Sequence, residues 1–468
     1  MTQTHQDLAA LFAAHKAAVP ARRVSFDRRA RLAALAKLRQ AVLDRQDDII
    51  AALAADFGKH PVEVRLTEIL PILQDISHAR RHLRRWMRPR RVLPTLMMIG
   101  TSARIEAQPR GVALIIAPWN FPFQLALGPL VSALAAGCSA IIKPSEMTPA
   151  TSALIADMVT ECFVPDLVAV VQGGVEASTQ LLALPFDHIF FTGSPAVGKI
   201  VMAAAAKSLA SVTLELGGKS PVIVGPDANI AKAAKWIAWG RFINAGQTCV
   251  APDHVFVHVS QRAALTDALR GRIAAMYGAD PATSPALARI VDDRNFARVT
   301  GLIADAVKAG AKVVAGGQAD TGARRLAPTL LEQTAADMDV SREEIFGPVL
   351  PLIPYDGLGV VLERINAGPH PLALYVFGSK GLAGEVVAGT TSGSVGVNLT
   401  VMPVIHGNLP FGGVGTSGMG AAHGQAGFAA FSHMRPVLRN RFLPMTLLFP
   451  PYTGRVKKLA KLVQRLVQ

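Results

Sequence analysis

From Gly111 to Ile142 the chain carries no charged residue. A run of that length could cross a bilayer, but Pro118, Pro122 and Pro129 interrupt it, and Asn120 and Gln124 lie within it. The pieces between the breaks read separately. GVALIIAP is a buried strand, PFQLALGPLVSALAAG a helix and SAIIKP a second strand. This β–α–β unit is the building block of a doubly wound parallel sheet and sets the fold class as α/β.

The same alternation extends in both directions. Leu32, Leu35, Leu38, Val42 and Ile49/Ile50 recur at helical spacing, so residues 25–57 read as helices. Ile69, Leu73, Ile76 and Leu83 repeat the pattern over 62–88, and Pro89 ends it. A helix over 149–161, the strands VAVVQGG and FDHIFFTGS, the helix VGKIVMAAAAK and the strand PVIVGP follow. From residue 229 a second α/β pattern runs through DHVFVHV, a helix over 262–276, AKVVAGG and LPLIPY. The sequence holds no internal repeat and no low-complexity linker.

With 468 residues, half of them hydrophobic, the chain can bury large cores in two to four domains. Three cysteines exclude a disulfide framework and point to a reducing, cytoplasmic compartment. The opening MTQTHQDLAALF lacks a basic start and carries Asp7, which argues against a secretory signal. The net charge of +15 resides in two places. Residues 78–91 hold seven Arg and no acid, and residues 386–468 hold eight Lys and Arg and no acid. Arg80, Arg81, Arg84, Arg85 and Arg88 share a helix face. A solvated face at a junction is the favoured reading, and no nucleic-acid partner is expected. At the C-terminus, Leu459, Leu462, Val463 and Leu466 oppose Lys458, Lys461 and Arg465. This short amphipathic helix is expected to dock on the protein's own fold. Peripheral contact with a membrane surface is the alternative.

Two motifs are decoys. GVGTSG at 413–418 matches the dinucleotide fingerprint in letters, but no strand precedes it and no acid follows Glu385, so it reads as a glycine-rich loop. GSPAVGKI at 193–200 falls one residue short of a phosphate-binding NTPase loop, because Ile200 cannot ligate Mg²⁺. What survives is a glycine-rich turn at a helix N-terminus, suited to a pyrophosphate without a metal. Cys138, Cys162 and Cys249 show no zinc spacing, so no metal site is expected.

Four patterns carry chemistry: APWNFP (117–122), IIKPSE (141–146), TLELGGKSP (213–221) and NAGQTCVAP (244–252). Taken alone, Cys249 in its Gly/polar loop is equally a reactive or an inert thiol. Asn120 alone reads as a turn residue and Glu215 as a salt-bridged strand end. Cys138 and Cys162 sit in apolar settings as small buried hydrophobes.

Together with EEIFGP (343–348) and LPFGGVGTSGMG (409–420), these patterns resemble the aldehyde dehydrogenase superfamily over roughly residues 25–435. WNFPF, GKSP, GQTCVAPD, PLALYVF and MGxxHGxxGFxxFSH resemble its class 3 branch of fatty-aldehyde and coniferyl-aldehyde dehydrogenases. The resemblance implies an NAD-dependent enzyme, with NADP as the alternative cofactor, that converts an aldehyde to an acid. It implies Cys249 as nucleophile. The Asn120 amide and the Cys249 N–H become oxyanion donors, and Glu215 the base for hydrolysis, with room to move beside Gly217-Gly218. Glu344 is a second candidate for that base. The resemblance places Lys143 and Glu146 at the adenosine ribose and counts Ser145 among the cofactor-binding residues. It puts Gly193, Ser194 and Gly198 at the pyrophosphate, and Glu344 and Phe346 at the nicotinamide half. It also implies a homodimer and a hydrophobic aromatic or medium-to-long aliphatic aldehyde.

The chain departs from the family in VNLTVMPVIHGN, before Leu409, and at Ala421-Ala422, where small residues are expected to enlarge the pocket. The expected division is a cofactor domain from 1–91 and 107–213 and a catalytic domain over 214–395. An oligomerisation element from 92–106 and 396–452 and a tail over 453–468 complete it. An acylating dehydrogenase would share the fold but lacks the Glu base, and Glu215 argues against it. A scaffold or nucleic-acid binder would not need the full chemical set.

Overall fold

The computed structural model describes residues 7–467, with side chains to 465. Residues 1–6, the start of the segment read as lacking a leader, lie outside it, as do Gln468 and the side chain of Leu466 in the expected tail stripe.

The charge-free run folds as a strand, a helix and a strand. Strand β1 (Val112–Ile116) leads into the helix Pro122–Ala136 and then β2 (Ser139–Lys143). Pro122 opens the helix and Gly137, at φ 92°, closes it. β1 and β2 pair in parallel, with Leu114 beside Ile141. Strands β3 (Val168–Val170), β4 (His188–Gly193) and β5 (Ser211–Leu216) complete the parallel part of this sheet. Its order is Gly418–Met419, β5, β4, β1, β2, β3. The strands are apolar on both faces because both are covered. Ala113 and Ile115 point into a core shared with the helices Arg28–Asp44, Gln46–Phe57 and Leu70–Met87. Val112, Leu114 and Ile116 point to the other side, with Phe12 and Phe186.

The second sheet has seven strands: β6 (Pro221–Val224), β7 (His254–His258), β8 (Lys312–Ala315), β9 (Thr329–Glu332), β10 (Val349–Tyr355), β11 (Ala373–Phe377) and β12 (Ser394–Val397). Their order is β8-β9-β10-β7-β6-β11-β12, all parallel except β8. A third sheet joins Arg90–Val92, Thr101–Pro109 and Ser432–Asn440.

Several expectations change. The boundary at 213 falls inside β5, and that at 395 inside β12. The helix Leu8–Ser25 was not foreseen, because Pro20 lies inside it and only Phe12 and His15 are buried. The helix expected over 62–88 is broken by a π-helical turn at Arg65–Ile69. The glycine-rich loop ends in an edge strand, where Gly418 pairs with Glu215. The arginines on Leu70–Met87 are exposed while Ile72, Ile76, Leu83 and Trp86 are buried, as a solvated face requires. The tail helix Gly454–Val467 meets the turn Pro444–Leu448, and none of its residues through Arg465 is fully buried.

Candidate active site

β1, β2 and β3 are laid down in one direction, and β4 and β5 on the other side of β1. The strand order therefore reverses between β1 and β4, and a crevice opens at their carboxyl ends, where doubly wound sheets take dinucleotides. The loops at this edge carry Trp119-Asn120 after β1, Lys143–Glu146 at β2, Gly193-Ser194 after β4 and Gly217-Gly218 after β5.

This edge fits a dinucleotide. Ser194 caps the helix Pro195–Ser208 by accepting the Val197 N–H at 3.4 Å, leaving a helix N-terminus at the crevice. Lys143 Nζ meets Glu146 Oε2 at 2.5 Å, with Lys143 buried and Glu146 half exposed. Buried Ser145 accepts the Met147 N–H and ties the turn. Gly198 is placed differently from expectation. It is buried under its helix, where a Cβ would strike Leu216, so it permits helix–sheet packing and does not face the crevice.

The loop that leads to Cys249 is held in a strained arc. Asn244, Ala245 and Gly246 have φ of 50°, 51° and 74°, a left-handed course that persists only when its surroundings enforce it. Gly246 is required twice, by its φ and because a Cβ would meet the Gly347 carbonyl. Glu63 Oε1 accepts the Asn244 N–H at 2.8 Å, and the Asn244 amide donates to the Asn120 carbonyl at 2.8 Å. Gln247 Nε2 donates to the Asn244 and Arg289 carbonyls at 2.9 and 3.1 Å, and its Oε1 accepts the Val291 N–H at 3.0 Å. Fully buried Arg241 bonds the Pro252 and Gly347 carbonyls. The Asn120 amide donates one hydrogen to the Gln247 carbonyl at 3.0 Å, which sets it beside this loop with a second N–H to spare.

Behind Asn120 lies a buried ion pair. Lys59 Nζ and Glu68 Oε1 are 2.7 Å apart, both side chains 0% exposed. Lys59 also donates to the Asn120 carbonyl at 3.3 Å and sits 4.4 Å from the Phe121 ring centroid. Glu68 accepts the Gln124 N–H at 2.9 Å. Glu68 occupies the π-helical turn, a device common at functional sites. None of these supports was singled out from the sequence. Lys59 and Glu68 are nine residues apart, a spacing with no meaning until the π turn sets them face to face.

Cys249 is partly exposed, whereas Cys138 and Cys162 are buried in the first core. Burial pushes the Cys249 thiol up to about 12, and Glu344 and Glu215 push the same way. Burial alone lifts Glu215 well above the usual carboxylate range, and neither of its oxygens has a hydrogen-bond partner. Burial, then Asp253, raises Glu344 to about 7. Glu344 Oε1 accepts the Gly218 N–H at 3.1 Å, and its carboxylate rests on Gly217, where a Cβ would collide with it. The space beside Gly217, expected to free Glu215, is thus occupied by Glu344. Phe346, at φ 46°, meets the Trp119 ring edge-on at 5.3 Å.

Cys249, Trp236, Trp239 and Val404 each pack against the second core, which includes buried Val401 and Phe411. The atypical stretch 397–408 is bound in through Thr400, whose hydroxyl donates to the Trp236 carbonyl at 2.6 Å. Ala422 pairs with Phe411 and packs toward the first core. Among the described residues, no group of three His, Cys, Asp or Glu side chains could hold a metal ion.

A thiol, two raised carboxylates and an amide beside a dinucleotide crevice form the constellation that the six motifs imply. The model of the aldehyde dehydrogenase family matches residues 2–437. The chain belongs to the aldehyde dehydrogenase family. It is 42% identical over 470 residues to a probable coniferyl aldehyde dehydrogenase of Pseudomonas aeruginosa, covering 98% of this chain and 96% of that one. It is 41% identical over 411 residues to aldehyde dehydrogenase family 3 member A2 of Macaca fascicularis, covering 88% and 84%. The solved structure of the substrate-bound state of Staphylococcus aureus AldH superposes with a TM-score of 0.93 at 40% identity, over 98% of this chain and 100% of that one. The class 3 resemblance holds, and the chain is an aldehyde dehydrogenase.

Proposed function

We propose that the chain oxidises hydrophobic aldehydes to carboxylic acids with NAD(P), through covalent intermediates on Cys249. The single observation that carries this reading is the grouping of the Cys249 loop with the Asn120 amide and with the carboxyls of Glu344 and Glu215, which both act on its thiol. A thiol raised to about 12 is neutral at pH 7, so attack requires that its proton be taken up. Glu344, raised to about 7, and Glu215, raised well above the usual carboxylate range by burial, can take it when ionised.

The thiolate adds to the aldehyde carbon, and the Asn120 amide and Cys249 N–H stabilise the oxyanion. A bound nicotinamide would supply a hydride acceptor beside the adduct, whose oxyanion would reform a carbonyl as the hydride is lost. A thioester remains on Cys249. Glu215 takes a proton from water as its oxygen attacks the thioester, the thiolate leaves and the acid is released. Lys143, Ser145 and Glu146 would hold the adenosine ribose, and Gly193, Ser194 and the helix they open the pyrophosphate. Glu344 and Phe346 would hold the nicotinamide half. Glu146 favours NAD, because its carboxylate repels a 2′-phosphate, while Lys143 leaves NADP open.

The substrate would be an aromatic or medium-to-long aliphatic aldehyde. The relative named for coniferyl aldehyde points the same way. We place the enzyme in the cytoplasm as a homodimer. The test is NADH and NADPH formation with a cinnamyl-type and a long straight-chain aldehyde. Turnover that Cys249→Ala abolishes supports the assignment, and turnover retained in that variant refutes it.

A further inference from the structure

Phe256 lies on β7 between Val255 and Val257. The two valines belong to the core against which Cys249 packs, and Phe256 to a different core with Val361 and Ile365. Side chains alternate along a strand, so Phe256 faces away from the side of the sheet that carries Cys249. On this far face, beside the helix Leu358–Ala367, lies a cavity of about 330 Å³. Pockets for small ligands begin at about that size. Phe256, Ile353, Ile365 and Pro371 supply apolar wall, and neither Cys249 nor Asn120, Glu215 or Glu344 lines it.

The charge around this cavity is of one sign. Lys219, Arg342 and Arg364 line it, and no acid does. Two of the cations are engaged. Lys219 Nζ donates to Asp253 Oδ1 at 2.5 Å and to the Val340 and Glu343 carbonyls at 3.1 and 2.6 Å, which uses its three hydrogens. Arg342 donates to Asp339 Oδ1 at 2.6 Å. Arg364 is half-buried with its guanidinium 5.4 Å from the Phe256 ring centroid, and it makes no hydrogen bond or salt bridge among the described residues. Burial lowers its pKa, and no neighbouring acid opposes the shift. Ser341, also in the wall, has a buried hydroxyl without a hydrogen-bond partner. Groups like these are ordinarily satisfied in a folded protein.

We propose that this cavity binds a small carboxylate with a compact apolar body. The carboxylate would accept from the Arg364 guanidinium and the Ser341 hydroxyl, and the body would lie against Phe256, Ile365 and Pro371. A planar guanidinium matches the two oxygens of a carboxylate. Inorganic phosphate would bring more charge than one free cation answers and would leave the apolar wall unfilled. The site is also joined to the reaction cleft. Lys219 holds the Val340 and Glu343 carbonyls, and its partner Asp253 accepts the Ile345 N–H at 3.0 Å. An occupant bonded to Ser341 is therefore tied to the segment that carries Glu344.

The test is isothermal titration calorimetry of the full-length protein with benzoate, with its neutral counterpart benzamide and with inorganic phosphate. The proposal expects benzoate to bind with a Kd of about 1 mM or tighter. Benzamide and phosphate should bind at least about tenfold more weakly. Arg364→Met should weaken benzoate at least about tenfold, the loss of one charge-assisted hydrogen bond, and Ser341→Ala severalfold. Benzoate should bind equally well after Cys249 is alkylated with iodoacetamide, which separates the cavity from the aldehyde cleft. Arg364→Met should keep the parent's melting temperature and its aldehyde oxidation, so failure of this site and failure of the reaction assignment read separately. Four results would overturn the proposal: no benzoate binding by the folded parent, equal binding of benzamide, unchanged affinity in both variants, or loss of binding on alkylation of Cys249.

Discussion

Replacing Lys59 with Met should cost the fold about 3–5 kcal/mol, because it strands the Glu68 carboxylate in the interior. The two groups are 2.7 Å apart at 0% exposure, so neither water nor a rotamer change can replace the ammonium. Glu68 would keep the Gln124 N–H, a neutral donor that stabilises a buried charge less than its cation does. At about 1.4 kcal/mol per decade, the loss is two to three and a half decades in the folded-to-unfolded ratio. The penalty has a sign in pH. Burial already raises the Glu68 carboxyl above its ordinary value, with Lys59 opposing the shift. A raised folded value means stability is retained at low pH and lost as pH rises through it. The deficit of Lys59→Met should therefore deepen with rising pH. In Lys59→Met/Glu68→Leu no charge is left buried, and at least about half the loss should return, the remainder being single unmade hydrogen bonds of about 1–3 kcal/mol. Urea unfolding followed by tryptophan fluorescence measures all three proteins. A single variant within about 1 kcal/mol of the parent, or a double variant worse than the single, would refute the reasoning.

Three further outcomes follow from the cleft. The acid limb of kcat/KM should fall near pH 7, because Glu344 accepts protons only above its raised value of about 7. Glu344→Gln should displace that limb, and an unchanged limb would assign it elsewhere. Glu146→Gln should lower the preference for NAD over NADP, since on the proposed reading the carboxylate beside Lys143 would repel a 2′-phosphate; cofactor titrations of both proteins measure it, and an unchanged ratio would remove Glu146 from the ribose. Gly246→Ala should lower soluble yield and activity together, because it adds a Cβ against the Gly347 carbonyl at a φ of 74°; wild-type activity in this variant would mean the arc is not enforced.

What the sequence made legible was local. The charge-free run between Gly111 and Ile142 divides at its prolines into a strand, a helix and a strand. Cys249 stands out because its loop is neither strand nor apolar helix. What stayed hidden depends on separations that a one-dimensional pattern does not encode. Lys59 supports Asn120 only because the chain folds back over 61 residues to place them together. Gly217 reads as freedom for its neighbour Glu215, yet the space belongs to Glu344, 127 residues later. Gly198 matches a phosphate-loop letter while serving a helix–strand contact with Leu216. The tail stripe has the periodicity of a docked helix, and periodicity alone does not say whether a groove exists to receive it.

The central claim is that the acyl group passes through Cys249 and is released by Glu215. The most direct measurement is the intact mass of Glu215→Gln after incubation with NAD and an aldehyde, followed by peptide mapping. The account predicts one equivalent of NADH per site, then a stall, with the added mass of one acyl group on the peptide that carries Cys249. Steady turnover without an adduct, or an adduct on Cys138 or Cys162, would contradict it.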